Sequence, residues 1–155
     1  MSSDLEKKVQ WLCDIEEIKQ LKARYANACD DDYNPDTLAP MFVEDAIWDG
    51  GALGYCNGRD EIHAFFSNSP SLVSFAVHQI TTPIITIDGD TATGKWFTWQ
   101  PWVVQGTPLW MSATYNDEYI KTDGQWHFKH VKVNIRMLSP QEGNFAETRI
   151  LELNL

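Results

Sequence analysis

Three turn signals in the second half of the chain most constrain its fold. Asp88-Gly89, Gly106-Thr107-Pro108 and Asp123-Gly124 divide the residues from Ser74 onward into segments rich in β-branched and aromatic side chains. Asp-Gly supplies the positive φ angles that a tight hairpin needs, so successive segments read as antiparallel strands of a meander. Strand side chains alternate between two faces, which sorts the residues. On segment 74–82, His78 shares a face with Ala76 and Ile80. On 91–104, Trp96, Thr98, Gln100 and Trp102 share one, and on 109–121 Leu109, Met111, Ala113 and Tyr115 do. The last strand puts Val131, Val133 and Ile135 on one side and His130, Lys132, Asn134 and Arg136 on the other.

The first half has a different period. Over residues 4–29, Val9, Leu12, Ile15, Ile18, Leu21 and Tyr25 recur at steps of three and four, as on one face of a long helix. Ser3 with Glu6 reads as its N-cap, and the run Asp30-Asp31-Asp32-Tyr33-Asn34-Pro35 ends it. A second helix is predicted over 35–42, with Leu38, Met41 and Phe42 on one face. A short strand follows at Ala46-Ile47-Trp48 and a break at Gly50-Gly51. Gly58-Arg59-Asp60 opens a third helix, over 61–66 or a little beyond, which Asn68-Ser69-Pro70 ends. Residues 1–139 form one domain. The tail, 140–155, reads as a closing strand, a short helix or an arm on a partner subunit. Helices followed by long antiparallel strands give an α+β domain, whose sheet curls around the helices into a cone with an apolar pocket.

Composition excludes several functions. A chain of 155 residues can bury roughly 70% of its unfolded surface, enough for a core without disulfides or a structural metal. Cys13, Cys29 and Cys56 are widely spaced, outside any CxxC or Cys/His cluster, so no zinc site follows. A net charge of −10 repels nucleic-acid backbones and anionic membranes. No window approaches the roughly 20 apolar residues of a membrane span, and the N-terminus does not resemble a leader, so a soluble, cytoplasmic protein is expected. Without a Gly-rich phosphate loop, GxSxG, HExxH or an activated cysteine motif, nucleotide, serine-hydrolase and metallohydrolase chemistry lack support.

Among titratable groups His78 stands out because it interrupts an apolar strand face and titrates near neutrality. The residues alone allow a core histidine bonded to backbone or an ionisable group in a pocket. Tyr25 near the end of the first helix reads as a core aromatic or a pocket donor. Asp30 reads as part of a solvated acidic loop, or as a carboxylate turned back into the pocket where the helix ends. Trp96, Trp99, Trp102 and Trp110 suit either a pocket for a flat apolar ligand or a subunit interface, with Trp99 on the face opposite Trp96 and Trp102. His63, His127 and His130 read as surface residues.

The segment DIEEIKQLKARYANACD, the spacing Leu38-x-x-x-Phe42-x-x-Asp45-Ala46-x-Trp48 and the run Gly58-Arg59-Asp60-Glu61-Ile62 resemble the SnoaL-like branch of the nuclear-transport-factor-2-like superfamily. HQITTPIITIDGDTATGKW and YNDEYIKTDGQW are similar to segments of its bile-acid 7α-dehydratases. Scytalone dehydratase and γ-hexachlorocyclohexane dehydrochlorinase resemble it more distantly. The resemblance spans residues 14–138 and implies a cystatin-like α+β cone, no cofactor, a homodimer or homotrimer, and a small hydrophobic ligand. It places Tyr25 at the dehydratase's catalytic tyrosine, and Asp30 and His78 at the aspartate and histidine that pair in these lyases. The dehydratase's catalytic aspartate falls on Gln100 and the dehydrochlorinase's arginine on Val131. Arg136 lies one position from the dehydratase's arginine and matches only if a bulge shifts the register. His78 would then be a base, Asp30 its orienting carboxylate and Tyr25 a donor to developing negative charge. Trp48, Trp96, Gln100, Met111, Tyr115 and Val131 would contact the substrate. The implied function is a dehydratase-like lyase or an isomerase acting on a hydrophobic cyclic carbonyl compound such as a steroid or polyketide. The alternative is a small-molecule-binding or assembly module without turnover. Trp99 and the polar residues of the last strand predict a homo-oligomer joined through the convex face.

Overall fold

The computed structural model describes residues 3–142 and Leu151. Helix α1 (Ser3–Asp30) buries Asp14, Ile18, Leu21, Lys22, Tyr25, Ala28 and Cys29, one stripe at helical spacing. The stripe begins later than the sequence pattern: Val9 and Leu12 are exposed, and Ser3 lies within the helix. After Asp30 the chain turns through Asp32 and Tyr33, both at positive φ, and the Asn34 side chain accepts from Asp36 N–H and Thr37 N–H to cap α2 (Pro35–Leu38). The helix predicted over 35–42 stops early. Pro40 has no N–H to continue it, a 3₁₀ turn (Ala39–Met41) intervenes, and Phe42 already belongs to a strand.

That strand, β1 (Phe42–Asp49), is longer than the three residues predicted, and β2 (Tyr55–Asn57) pairs with it antiparallel. Helix α3 (Arg59–Asn68) takes in Arg59 and Asp60 at its start and ends a little beyond Phe66, as predicted. Four-residue β3 (Val73–Ala76) and the longer β4 (Gln79–Asp88) then replace the single strand predicted at 74–82. The break has a local cause. Val77 N–H bonds Pro101 carbonyl, whereas His78 N–H turns away to the Asp30 carboxylate. Strands β5 (Thr91–Val104), β6 (Thr107–Thr122) and β7 (Gln125–Pro140) follow. The Asp123-Gly124 hairpin has positive φ at both turn residues, as its sequence favours, whereas the turn predicted at Gly106-Thr107-Pro108 lies at Gln105-Gly106, with Thr107 and Pro108 already in β6.

The sheet order is β2-β1-β7-β6-β5-β3, with β4 also on β5. It is mixed, which corrects the all-antiparallel reading: β1 lies parallel to β7, with Trp48 beside Val131. Hairpins account only for neighbours in sequence, and this pairing is made across the whole intervening chain. Two bulges leave Lys129 and Arg136 as extra residues in β7 opposite β6. Such bulges increase bend and twist, curling the sheet around α1. They also reset the alternation, so that Phe128 and Val131 are both fully buried.

β7 continues through Pro140. The tail predicted from residue 140 lies largely outside the described residues, although Leu151 N–H bonds the Leu138 carbonyl at 2.7 Å. Among the described residues no helix is long and apolar enough to cross a membrane.

Candidate active site

A cavity of about 200 Å³ opens between the C-terminal end of α1, α3, β1 and the inner face of β5 to β7. Its walls are mainly apolar, with aromatic rings from α1, β1, α3, β5 and β6. His78 lines it at the break between β3 and β4, and Asp30, the last residue of α1, stands behind the ring. His78 Nδ1 lies 2.6 Å from Asp30 Oδ1, and the His78 main-chain N–H donates to both carboxylate oxygens at 2.9 and 3.2 Å. The imidazole side chain is 5% exposed and the carboxylate 32%, so the pair spans the boundary between cavity and solvent. An ionised carboxylate only accepts hydrogen bonds. Nδ1 of a neutral His78 therefore carries the proton, leaving the Nε2 lone pair as the basic site. The Tyr33 ring meets the imidazole edge-on at 5.9 Å.

Tyr25 enters the cavity from one turn before Asp30 and accepts a hydrogen bond from Trp48 Nε1 at 3.0 Å. Burial raises its phenol well above the usual value, so it is protonated at neutral pH. Trp48 also lines the cavity, and glycine at position 50 makes room for it: a Cβ there would stand 2.6 Å from indole Cζ3. Met111, Tyr115 and Gln100 complete the predicted contacts that reach the cavity. Gln100 is 1% exposed, and its Oε1 has no hydrogen-bond partner among the described residues.

Other predicted residues lie elsewhere. Trp96 does not line the cavity; its indole N–H donates to Tyr119 at 2.9 Å in the packed part of the cone. Val131, fully buried, also lies outside the lining. Alternation tells inside from outside but gives no depth along the cone, and the inward residues here fill one part of it solidly. Arg136 does sit on a bulge, yet it is exposed and away from the cavity. His130 is not a simple surface residue, because its Nε2 is buried without a partner among the described residues. Among these residues no three His, Cys, Asp or Glu gather as a metal site requires.

Sequence reasoning passed over Tyr33, Phe65 and Phe66, which line the cavity. Tyr33 lies within an acidic turn that reads as solvated, yet it stacks on Phe66 and accepts from Trp102 Nε1 at 3.2 Å. Lys22 was equally hidden. It is buried in an ion pair with Asp117 at 2.8 Å, and Tyr119 O–H donates to the same carboxylate oxygen at 2.9 Å. Burial pulls Lys22 below and pushes Asp117 above their ordinary values, while their mutual attraction favours the charged forms. The only sequence signal is a lysine in register with the buried stripe of α1.

A family model described as a SnoaL-like domain matches residues 10–132. The uncharacterized protein Rv2910c of Mycobacterium tuberculosis is 30% identical over 114 residues, 71% of this chain and 77% of its own. A crystal structure from Novosphingobium aromaticivorans, provisionally named a scytalone dehydratase, superposes with a TM-score of 0.77 at 20% identity, covering 86% of this chain and 91% of that one. Hexachlorocyclohexane dehydrochlorinase LinA-type3 of Novosphingobium barchaimii superposes with a TM-score of 0.79 at 20% identity, covering 92% and 97%. At such identities the two superpositions show a shared fold.

Proposed function

The chain belongs to the SnoaL-like family, and from that premise we propose that it is a cofactor-independent lyase of the dehydratase kind, or an isomerase, acting on a hydrophobic cyclic carbonyl compound. The observation that carries this reading is the His78–Asp30 pair, 2.6 Å apart, with its imidazole in the wall of an apolar cavity. Nε2 removes a proton from the carbon beside the carbonyl, and Asp30 stabilises the imidazolium that results. The electron pair moves onto the carbonyl oxygen as an enolate, to which the Tyr25 hydroxyl donates. Collapse of the enolate forms the carbon–carbon double bond and expels the β-substituent, which takes its proton from Tyr25 or water. Without a β-leaving group, reprotonation elsewhere gives an isomer. Gln100 holds a substrate oxygen or amide by hydrogen bonding but cannot transfer a proton.

Cavity size narrows the substrate. About 200 Å³ is below the roughly 300–1,000 Å³ of pockets for drug-sized ligands. That favours one or two rings, as in a small polyketide, over the four rings of a steroid. We also propose that copies of the chain assemble as a dimer or trimer through the convex face, where Trp99 stacks on Trp110 at 5.5 Å.

The test is α-proton exchange in D2O, followed by NMR, with a panel of one- and two-ring cyclic ketones with and without a β-hydroxyl. Wild-type protein should exchange the α-proton and eliminate water where the leaving group is present, and His78→Ala should do neither. The partnerless Gln100 oxygen also suits a site that only binds. Tight binding without exchange in any ketone of the panel would favour that second reading.

A further inference from the structure

We propose that Tyr115 is a second hydrogen-bond donor to the oxyanion formed in the cavity, strengthened by the Lys22 ammonium against the face of its ring. The proposal rests on the elimination or isomerisation reading above, because it assigns a role to a residue of the same cavity.

Four tyrosines are buried around the cavity and the adjoining core, and three have hydroxyls engaged with protein. Tyr25 accepts from Trp48, Tyr33 accepts from Trp102, and Tyr119 donates to Asp117 while accepting from Trp96. Tyr115 differs. It is 2% exposed and lines the cavity, and no hydrogen bond joins its hydroxyl to another described residue. Its oxygen is not among the sealed, unpartnered polar atoms of the core, so it opens onto the cavity. A hydroxyl that faces the cavity and is not committed to the protein is available to donate to what enters.

The ring of Tyr115 has an equally particular neighbour. Lys22 Nζ lies 3.5 Å from its centroid, against 4.7 Å for Tyr25. The Asp117 carboxylate holds the ammonium in place at 2.8 Å. A cation on the face of a phenol draws electron density from the ring, making the hydroxyl a stronger donor, and adds attraction for negative charge nearby. Lys22 does not line the cavity, so it is a positioning residue that acts through Tyr115. Burial holds the Tyr115 phenol well above its ordinary value, which keeps it protonated and able to donate. Tyr25 and Tyr115 are neighbours, with ring centroids 6.2 Å apart in an edge-to-face arrangement, so the two rings belong to one region of the wall.

The probe is 4-nitrophenol, a one-ring compound whose bound phenolate and phenol are distinguished by absorbance. Wild-type protein should take it up with its apparent pKa below that of the free probe. Tyr115→Phe should weaken binding of the phenolate by about tenfold, a rise of about one unit in the bound probe's pKa, and leave the neutral phenol's affinity unchanged. It should melt close to the wild-type temperature, because no hydrogen bond within the protein is lost. Because Lys22 substituted alone would strand Asp117, the pair is replaced together. Lys22→Met with Asp117→Asn should raise the bound probe's pKa with the Tyr115 hydroxyl intact. Adding Tyr115→Phe should then shift it by less than the sum of the two effects. An unchanged bound pKa in Tyr115→Phe, or an equal loss of affinity for both forms, would overturn the proposal. If wild-type protein fails to take up the probe, this proposal and the cavity's reading as a small-molecule site fall together. If the shifts appear but no ketone exchanges its α-proton, the donor assignment stands and the catalytic reading falls.

Discussion

His78 and Asp30 are joined through both backbone and side chain: the main-chain N–H of His78 donates to the carboxylate whose Oδ1 also meets the imidazole Nδ1. The main-chain contact ties the end of α1 to the junction of β3 and β4 whatever side chain stands at 78. Asp30 is therefore placed by the backbone, and the imidazole is oriented by an acceptor already in position. The same contact removes His78 N–H from the sheet and ends β3, so the break that turns the histidine toward the cavity and the bond that orients it arise together.

His78→Ala should keep the fold, because the main-chain bond to Asp30 survives. It should lower turnover by roughly 10²–10⁴, the usual contribution of a general base. Asp30→Asn can still accept the main-chain N–H but loses the charge that stabilises an imidazolium, so its loss should be of similar order. The double variant should fall far short of the product of the two losses, since residues acting as one unit are not additive. Thermal melting and α-proton exchange on the three proteins check this, and unchanged exchange in His78→Ala would remove the base from the mechanism.

Tyr25→Phe should affect both folding and catalysis. It leaves Trp48 Nε1 buried without its acceptor, at about 1–3 kcal/mol of stability. It should lower kcat more than it weakens substrate binding, because the phenol's bond strengthens as charge develops on the substrate oxygen. Urea unfolding and a kcat-against-Kd comparison separate the two effects. Equal losses in both constants would make Tyr25 a binding contact only.

Asp14 makes acid stability a test of the join between α1 and the β6–β7 hairpin. Its carboxylate accepts from Lys121 Nζ at 2.6 Å and Trp126 Nε1 at 2.9 Å. Burial by itself would raise its pKa, but these bonds and the Lys121 charge together hold it below the ordinary value. A depressed folded-state pKa stabilises the protein above the unfolded value of about 3.9, and this contribution is lost as pH falls through the folded pKa. Asp14→Asn should therefore be less stable at pH 6 and lose less stability on acidification below about pH 4. Urea midpoints from pH 2 to 6 measure both slopes, and parallel slopes would refute the linkage.

Assembly through the convex face predicts a species larger than the 17.7 kDa chain at micromolar concentration. Replacing Trp99 and Trp110 together by serine should lower its mass toward the monomer while leaving the cavity intact, because Trp99 is 42% exposed and neither residue lines the cavity. Sedimentation equilibrium on both proteins decides it. A monomeric wild type would end the proposal.

Much of the fold was legible because it depends on near neighbours in sequence. The period of α1, the start of α2 at Pro35 and the turn at Asp123-Gly124 each follow from a few adjacent residues and the backbone angles that they allow, and the turn beside Gly106 was found one residue out of place. The resemblance placed Tyr25, Asp30 and His78, and five of the nine named site residues line the cavity with His78: Tyr25, Trp48, Gln100, Met111 and Tyr115. Asp30 supports the histidine from behind.

What the sequence alone determined is thus the long helix, the long strands and the local period of each, because these depend on near neighbours, whereas the pairing of His78 with Asp30 rests on the family resemblance and not on period or residue type. The tertiary structure decided the rest. It set β1 beside β7, inserted bulges at Lys129 and Arg136, left Trp96 and Val131 in packed core, and buried Lys22 against Asp117, which lies 95 residues away. The reason is that depth within a curled sheet, and the partner of a buried charge, depend on how distant segments meet. A lysine on a helix is ordinarily solvated, and only the arrival of β6 with Asp117 and a tyrosine ring makes its burial favourable.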